Sequence, residues 1–169
     1  MPAIRNIRSV VTEVTIESLK KEAARKVKTV DHGMPDVKDE IYYPESATER
    51  DTYKTKDGKR VPSHHWDVYD FTKTIPRGKV TTYKEVCRAV GGSPRSVGNA
   101  LRSNPFAPHI PCHRVIASNL FAGGYCGEWG AKSKTGTQYF RKLDILTEEG
   151  LSFDQKGILQ DPDKGLWIH

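Results

Sequence analysis

From residue 63 onward, apolar positions recur at helical spacing and short polar signals punctuate them. Ser63 can cap a helix whose Val68, Phe71 and Ile75 share one face, with Pro76 as its stop. Thr82 and Glu85 match a capping box, and Tyr83, Val86, Cys87 and Val90 fall at i, i+3, i+4 and i+7, predicting a second helix closed by Gly91-Gly92. Ser93-Pro94 is an N-cap followed by a first-turn proline. It opens a third helix over residues 94–103, before Pro105. A last helix places Tyr139, Leu143 and Leu146 on one face and Gly150 in the C-terminal cap position.

The pattern is looser elsewhere. Ile16, Leu19, Ala23 and Val27 could form a helical stripe, while alternation at Val10, Thr12, Val14 and Ile16 suits a short strand equally well. Residues 31–62 are polar and charge-mixed, with few apolar anchors beyond Ile41, Tyr42, Tyr43 and Tyr53, and read as a linker or poorly ordered arm. Residues 128–138 read as a loop. The expected fold is α/β overall. An atypical N-terminal arm (1–62) with little regular structure precedes a mostly helical domain (63–151) and a C-terminal tail (152–169). Two short helices joined by Gly-Gly, the second rich in arginine, read as a helix-turn-helix of winged-helix type.

Charge sharpens this picture. The 169 residues carry a formal charge of +6, with a pI near 9.2. Residues 73–114 alone hold eight basic side chains against one acid, Glu85. Such a concentration fits the footprint on a phosphate backbone. The basic cluster at residues 20–28 reads instead as a solvated helix face. Mean hydropathy is −0.63, and no apolar run approaches the ~18 residues that span a bilayer. The first residues lack the apolar core of a secretory signal. Cys87, Cys112 and Cys126 form neither a disulfide framework nor a zinc pattern, so a reducing compartment and no metal are expected.

On a helical wheel, Val97, Ala100 and Leu101 of the third helix point inward, and Arg95, Gly98, Asn99 and Arg102 lie opposite. Glycine within a helix costs about 1 kcal/mol relative to alanine. Close approach of the helix backbone to another surface would explain Gly98.

The chemistry concentrates in Ile110-Pro111-Cys112-His113-Arg114-Val115-Ile116, an apolar, strand-like run in which Pro111, lacking a backbone donor and fixed in φ, suits the segment to an edge or a turn rather than a central strand. A thiolate is the effective nucleophile. A neighbouring imidazole can take the thiol proton, and local positive charge lowers a cysteine pKa from about 8.5 toward about 3.5–7.5. Taken alone, Cys112 could equally be a small core residue. Glu148 and Glu149 fall at a helix C-terminus, where a carboxylate is disfavoured by roughly 0.3–1 kcal/mol. A cation such as His113 would offset that cost for one of them, with an ordinary exposed acid pair as the default reading.

With PCHRV, GKVTTY, RSVGNALRSNP and the late Glu149-Gly150, residues 63–151 resemble the O6-alkylguanine-DNA alkyltransferases. The resemblance implies a single-turnover DNA repair protein that binds duplex DNA containing O6-alkylguanine in the minor groove and rotates the damaged base outward. It implies Cys112 as alkyl acceptor, His113 as base through a water, Glu149 as its orienter, and Tyr83 beside the departing guanine. Arg95 would fill the vacated stack, with Ser96, Gly98, Asn99 and Arg102 on the DNA-facing side. Asn104 would brace the active-site turn. Carbonyls of Val115 and Cys112 would receive the guanine amine, Tyr125 would wall the pocket, and the Cys126 amide, beside Gly127, would meet O6. No cofactor, no metal, no membrane and a monomer are implied, in the nucleus of a eukaryote and otherwise in the cytoplasm.

Three departures stand out: Cys126 where serine is usual, a lengthened 128–138 segment, and residues 1–62 unlike the β-rich N-terminal domain of the family. Two competing readings are a non-catalytic alkyltransferase-like damage-binding protein and a thiol hydrolase. Relatives of the first kind lack the acceptor cysteine, which is present here. The second lacks an oxyanion-hole motif.

Overall fold

The computed structural model describes residues 41–132 and 135–169. The 10–16 strand or 16–27 helix and the 20–28 basic cluster lie outside the described residues. What is described is mixed α/β and mostly helical. The order is α1 (Ala47–Thr52), α2 (Ser63–Lys73), β1 (Thr81–Thr82), α3 (Tyr83–Val90), α4 (Pro94–Arg102), a 3-10 turn (Cys112–Arg114), β2 (Val115–Ile116), β3 (Gly124–Tyr125), β4 (Glu128–Trp129), α5 (Thr137–Glu148) and α6 (Pro162–Gly165).

Local signals place the helices. The Thr82 hydroxyl accepts from the Glu85 amide, and Ser93 and Ser96 cap one another at the start of α4, with Pro94 in its first turn. Gly91 and Gly92 turn the chain at φ +81° and +85°. A Cβ at Gly92 would fall 2.6 Å from Ser96 Oγ and 2.9 Å from the His64 ring, so a side chain there would displace both and break their 3.1 Å contact. Ser63 is not a cap, contrary to the sequence reading. Pro62 occupies that position and Ser63 is already helical.

The main core joins α2, α3 and α4. Val68, Tyr69, Val86, Val97, Ala100 and Leu101 are buried there, and the Tyr69 hydroxyl donates to the Ala100 carbonyl at 2.9 Å. A second cluster (Val80, Ile116, Leu146, Leu151 and Leu159) lies around β1 and β2, which pair in parallel with Thr81 opposite Val115 and Thr82 opposite Ile116. This pairing sets the entry to α3 beside the exit from the Cys112 turn.

Two expectations are overturned. Residues 41–62 are not a linker. Tyr43 and Tyr53 pack edge-on or tilted against Trp66 and Phe106 at 5.0–5.9 Å, and Arg50 clamps Asp70 through two bonds of 2.7 and 2.8 Å. Few apolar residues suffice because each aromatic buries a large area. Residues 128–138 are not simply a loop. Glu128 and Trp129 pair with Gly124 and Tyr125 in an antiparallel hairpin, and the buried Glu128 carboxylate accepts from the amides of Thr135 and Gln138, tying the segment to the start of α5. The C-terminal tail, residues 152–169, is packed. Leu159 is buried, and Val80 exchanges backbone bonds with Gly165 and Trp167, so this stretch lies alongside β1.

Candidate active site

A cleft of about 450 Å³ opens between α4 and the β3–β4 hairpin. Pro94, Arg95, Gly98, Asn99 and Arg102 form one lip, Gly124 to Trp129 form the other, and Tyr83 and Cys112 lie between them. The lips meet at one point, because Gly127 (φ +83°) would place a Cβ 3.4 Å from the Arg102 guanidinium nitrogen. Glycine here meets both the backbone and the space requirement.

The turn that presents Cys112 starts at Pro111, whose φ −79° and ψ 66° are those of an inverse γ-turn, closed by the Cys112 amide on the Ile110 carbonyl at 2.8 Å. Asn104 Nδ2 donates to the same carbonyl at 3.1 Å while its Oδ1 accepts from the Phe106 amide at 2.9 Å. Asn104 therefore braces the turn. Residues 112–114 form a 3-10 turn that leads into β2, in line with Pro111, which has no amide to donate to a ladder and suits the segment to a turn or an edge. Cys112 and His113 thus escape the alternation of a strand, and both are buried.

Behind the thiol, His113 Nε2 lies 2.9 Å from Glu149 Oε1. Glu149 is shared. Arg114 Nε and Nη2 donate to its two oxygens at 2.8–3.2 Å, Arg114 Nη1 donates to the Ile75 carbonyl, and the Gly78 amide reaches Glu149 Oε2. Burial alone would raise the Glu149 carboxyl, but the Arg114 and His113 bonds overcome it and hold it at about 2. Burial lowers His113, against the opposing pull of Glu149, so the imidazole is neutral near neutral pH.

Cys112 departs from the sequence expectation. Burial pushes its thiol up to about 11, outweighing Asn104 and Lys142, which favour the thiolate. Burial thus favours the protonated thiol at rest.

Sequence reasoning missed two members of this network. Lys142 is fully buried, and its ammonium donates to the carbonyls of Val115 (2.7 Å) and Gly124 (2.9 Å), joining the Cys112 turn to the hairpin. Burial lowers it to about 7. Its signal was available, since Lys142 stands between Tyr139 and Leu146 on the apolar stripe of α5, where a lysine has no business unless paired. The buried face includes Lys142, and Leu143, which the stripe had included, is only half-buried. Arg114 was the other omission. It lies next to His113 and serves the same carboxylate.

The remaining residues divide. Tyr83 and Tyr125 line the cleft as neutral phenols, pushed upward chiefly by burial, Tyr83 to about 12. Arg95, Asn99 and Arg102 are exposed on α4, whereas the Ser96 hydroxyl is occupied at the cap, 3.1 Å from His64 Nε2. Val115 is buried with its carbonyl already taken by Lys142, and the Cys112 carbonyl accepts the Val115 amide. Cys126 is exposed at the hairpin turn with φ +47°, and Cys87 packs against the core. Among the described residues no group of three or more His, Cys, Asp or Glu could hold a metal ion, and no helix is long and apolar enough to cross a membrane.

The family model "6-O-methylguanine DNA methyltransferase, DNA binding domain" matches residues 63–150. A methylated-DNA--protein-cysteine methyltransferase of Methanothermobacter thermautotrophicus is 55% identical over 87 residues, which are 52% of this chain and 44% of that one. Its namesake in Metallosphaera sedula is 52% identical over 58 residues, 34% of this chain and 36% of that one. The match therefore spans less than half the length of these relatives. Among solved structures, S. pombe Atl1 in complex with damaged DNA containing O6-carboxymethylguanine is 30% identical, covering 66% of this chain and all of that one at a TM-score of 0.49. An O6-methylguanine methyltransferase of Mycobacterium tuberculosis is also 30% identical, covering 53% of this chain and 50% of that one at a TM-score of 0.42.

Proposed function

Since the chain belongs to the 6-O-methylguanine DNA methyltransferase family through that DNA-binding domain, we propose that it repairs O6-alkylguanine in duplex DNA by moving the alkyl group onto Cys112. The observation that carries this reading is the placing of a buried cysteine between a helix-turn-helix lip and a histidine–carboxylate pair.

In this account α4 lies in the minor groove, Gly98 lets its backbone approach, and Arg95 enters the stack as the damaged base rotates into the cleft. Glu149 engages His113 Nε2, which leaves Nδ1 as the acceptor for the thiol proton, relayed by water. The Cys112 sulfur attacks the alkyl carbon in line. An S–C bond forms, the C–O6 bond breaks, and its electron pair leaves with guanine. Tyr83, a neutral phenol, hydrogen-bonds the departing base. The net proton transfer runs from thiol to guanine, leaving a thioether and the natural base. The high resting pKa of Cys112 keeps the sulfur inert until base and imidazole are both aligned. The thioether has no route back to thiol, so each molecule acts once, as a monomer.

Titrating a fixed amount of O6-methylguanine duplex with the protein tests this. Lesion loss rises in proportion to protein added and stops at one lesion per molecule. A lesion that is bound but persists would instead identify a damage-binding protein, and catalytic turnover would also overturn the proposal.

A further inference from the structure

Trp129 is half-exposed, at 56% of its full accessibility, and it is the one exposed large hydrophobic among the described residues that lines the cleft. It is nevertheless held in place. A Cβ at Gly124 would fall 2.9 Å from its indole and one at Gly123 3.4 Å, so two successive glycines let the ring lie against the backbone of β3. Phe121 and Tyr83 flank it with ring centres 6.2 Å away, Tyr83 inclined by only 33°. One side of the indole is thus packed while the other remains accessible.

The position within the cleft indicates what that accessible side meets. The polar side chains Arg95, Asn99 and Arg102 line the α4 lip, while Trp129, its ring centre 6.2 Å from that of Tyr83, lines the same cleft as Tyr83, Tyr125 and Cys112. In the reaction proposed above, the group nearest the attacking sulfur is the O6 substituent. A methyl group offers no flat surface to an indole, whereas an aryl group does, and aromatic pairs gain from offset or tilted contact at ring separations of about 4.5–7 Å.

Resting on that reading of the site, we infer that Trp129 is a specificity-determining residue whose indole is a stacking platform for planar, aryl-bearing O6 substituents such as benzyl. The chemistry is unchanged: the sulfur attacks the benzylic carbon, the C–O6 bond breaks, and guanine leaves with the proton from the thiol.

The test uses two duplexes identical except for O6-methylguanine or O6-benzylguanine at one position. Rate constants for modification of Cys112 are read by mass spectrometry for the wild type, Trp129→Ala and Trp129→Phe. The benzyl-to-methyl ratio falls roughly tenfold or more in Trp129→Ala, the scale of losing one stacked ring, and Trp129→Phe recovers most of it. A ratio that stays at the wild-type value in Trp129→Ala overturns the inference, whether both rates fall together, as for a contact to flanking DNA, or neither falls. Failure of the wild type to modify Cys112 with either duplex would count against the alkyl-transfer reading itself, a result separable from the first.

Discussion

Beneath the cleft, the side chains of Cys112, His113, Glu149 and Lys142 are buried, with Glu149 bonded to His113 Nε2 and Arg114 and Lys142 bonded to two carbonyls; on the α4 lip, Arg95, Asn99 and Arg102 stand in solvent. The buried set is shifted well away from ordinary pKa values, and each shift has a cause in a named neighbour or in burial. The lip depends on placement alone, through the Ser93 cap, the Gly91-Gly92 turn and the apolar stripe that seats α4 on the core. Reaction chemistry is therefore coupled to folding, because disturbing the floor leaves buried charge unpaired. Recognition is not, because the lip side chains can change without opening the core.

The largest effect belongs to the proton acceptor. His113→Gln lowers the rate of Cys112 alkylation by roughly 10²–10⁴, the usual contribution of a positioned base, with duplex affinity retained. Single-turnover kinetics together with a binding isotherm measure both, and a parallel loss of affinity would blur the division between floor and lip.

Glu149→Gln follows. It leaves Arg114 without its carboxylate and lowers stability by about 3 kcal/mol in denaturant unfolding near neutral pH. A carboxyl depressed on folding contributes its stability above its unfolded pKa near 4.5 and loses it as pH falls through about 2. The gap between wild type and Glu149→Gln accordingly narrows over that interval. A gap of constant width would remove the ionised carboxylate from the account.

At the lip, Arg95→Ala slows repair of duplex by tenfold or more, the scale of a lost stacking contact, while reaction with free O6-benzylguanine base is little affected. Equal losses on both substrates would refute its place in the stack. The smallest effect is Gly98→Ala. Gly98 has helical backbone geometry and nothing within 4 Å of where a Cβ would stand, so alanine stabilises the free protein by up to about 1 kcal/mol and weakens duplex binding. Stabilisation without weaker binding would show that the backbone of α4 does not approach DNA.

Legibility in the sequence followed the same division. The lip could be read because its determinants are local: Ser93-Pro94, the Thr82 cap, and the Val97, Ala100 and Leu101 stripe each act within a turn or two of helix. The carboxylates at the end of α5 offer His113 only as one candidate partner beside an ordinary exposed acid pair, and it is the resemblance that singles out Glu149. The rest depends on tertiary contacts. Arg114 and Lys142 find their acceptors on Ile75, Glu149, Val115 and Gly124, none of which sequence spacing brings near. The protonated state of Cys112 follows from burial, which a count of nearby cations in the sequence does not register. Residues 41–62 were misread because composition counts apolar residues, whereas Tyr43 and Tyr53 contribute by area and by contact with Trp66 and Phe106.

The most direct test is the mass of the peptide containing Cys112 after incubation with O6-methylguanine duplex. The account predicts one added methyl on that cysteine, none on Cys87 or Cys126, and no lesion loss with Cys112→Ser. An unmodified Cys112 peptide alongside a repaired lesion, or methyl accepted by the Cys112→Ser protein, would contradict it.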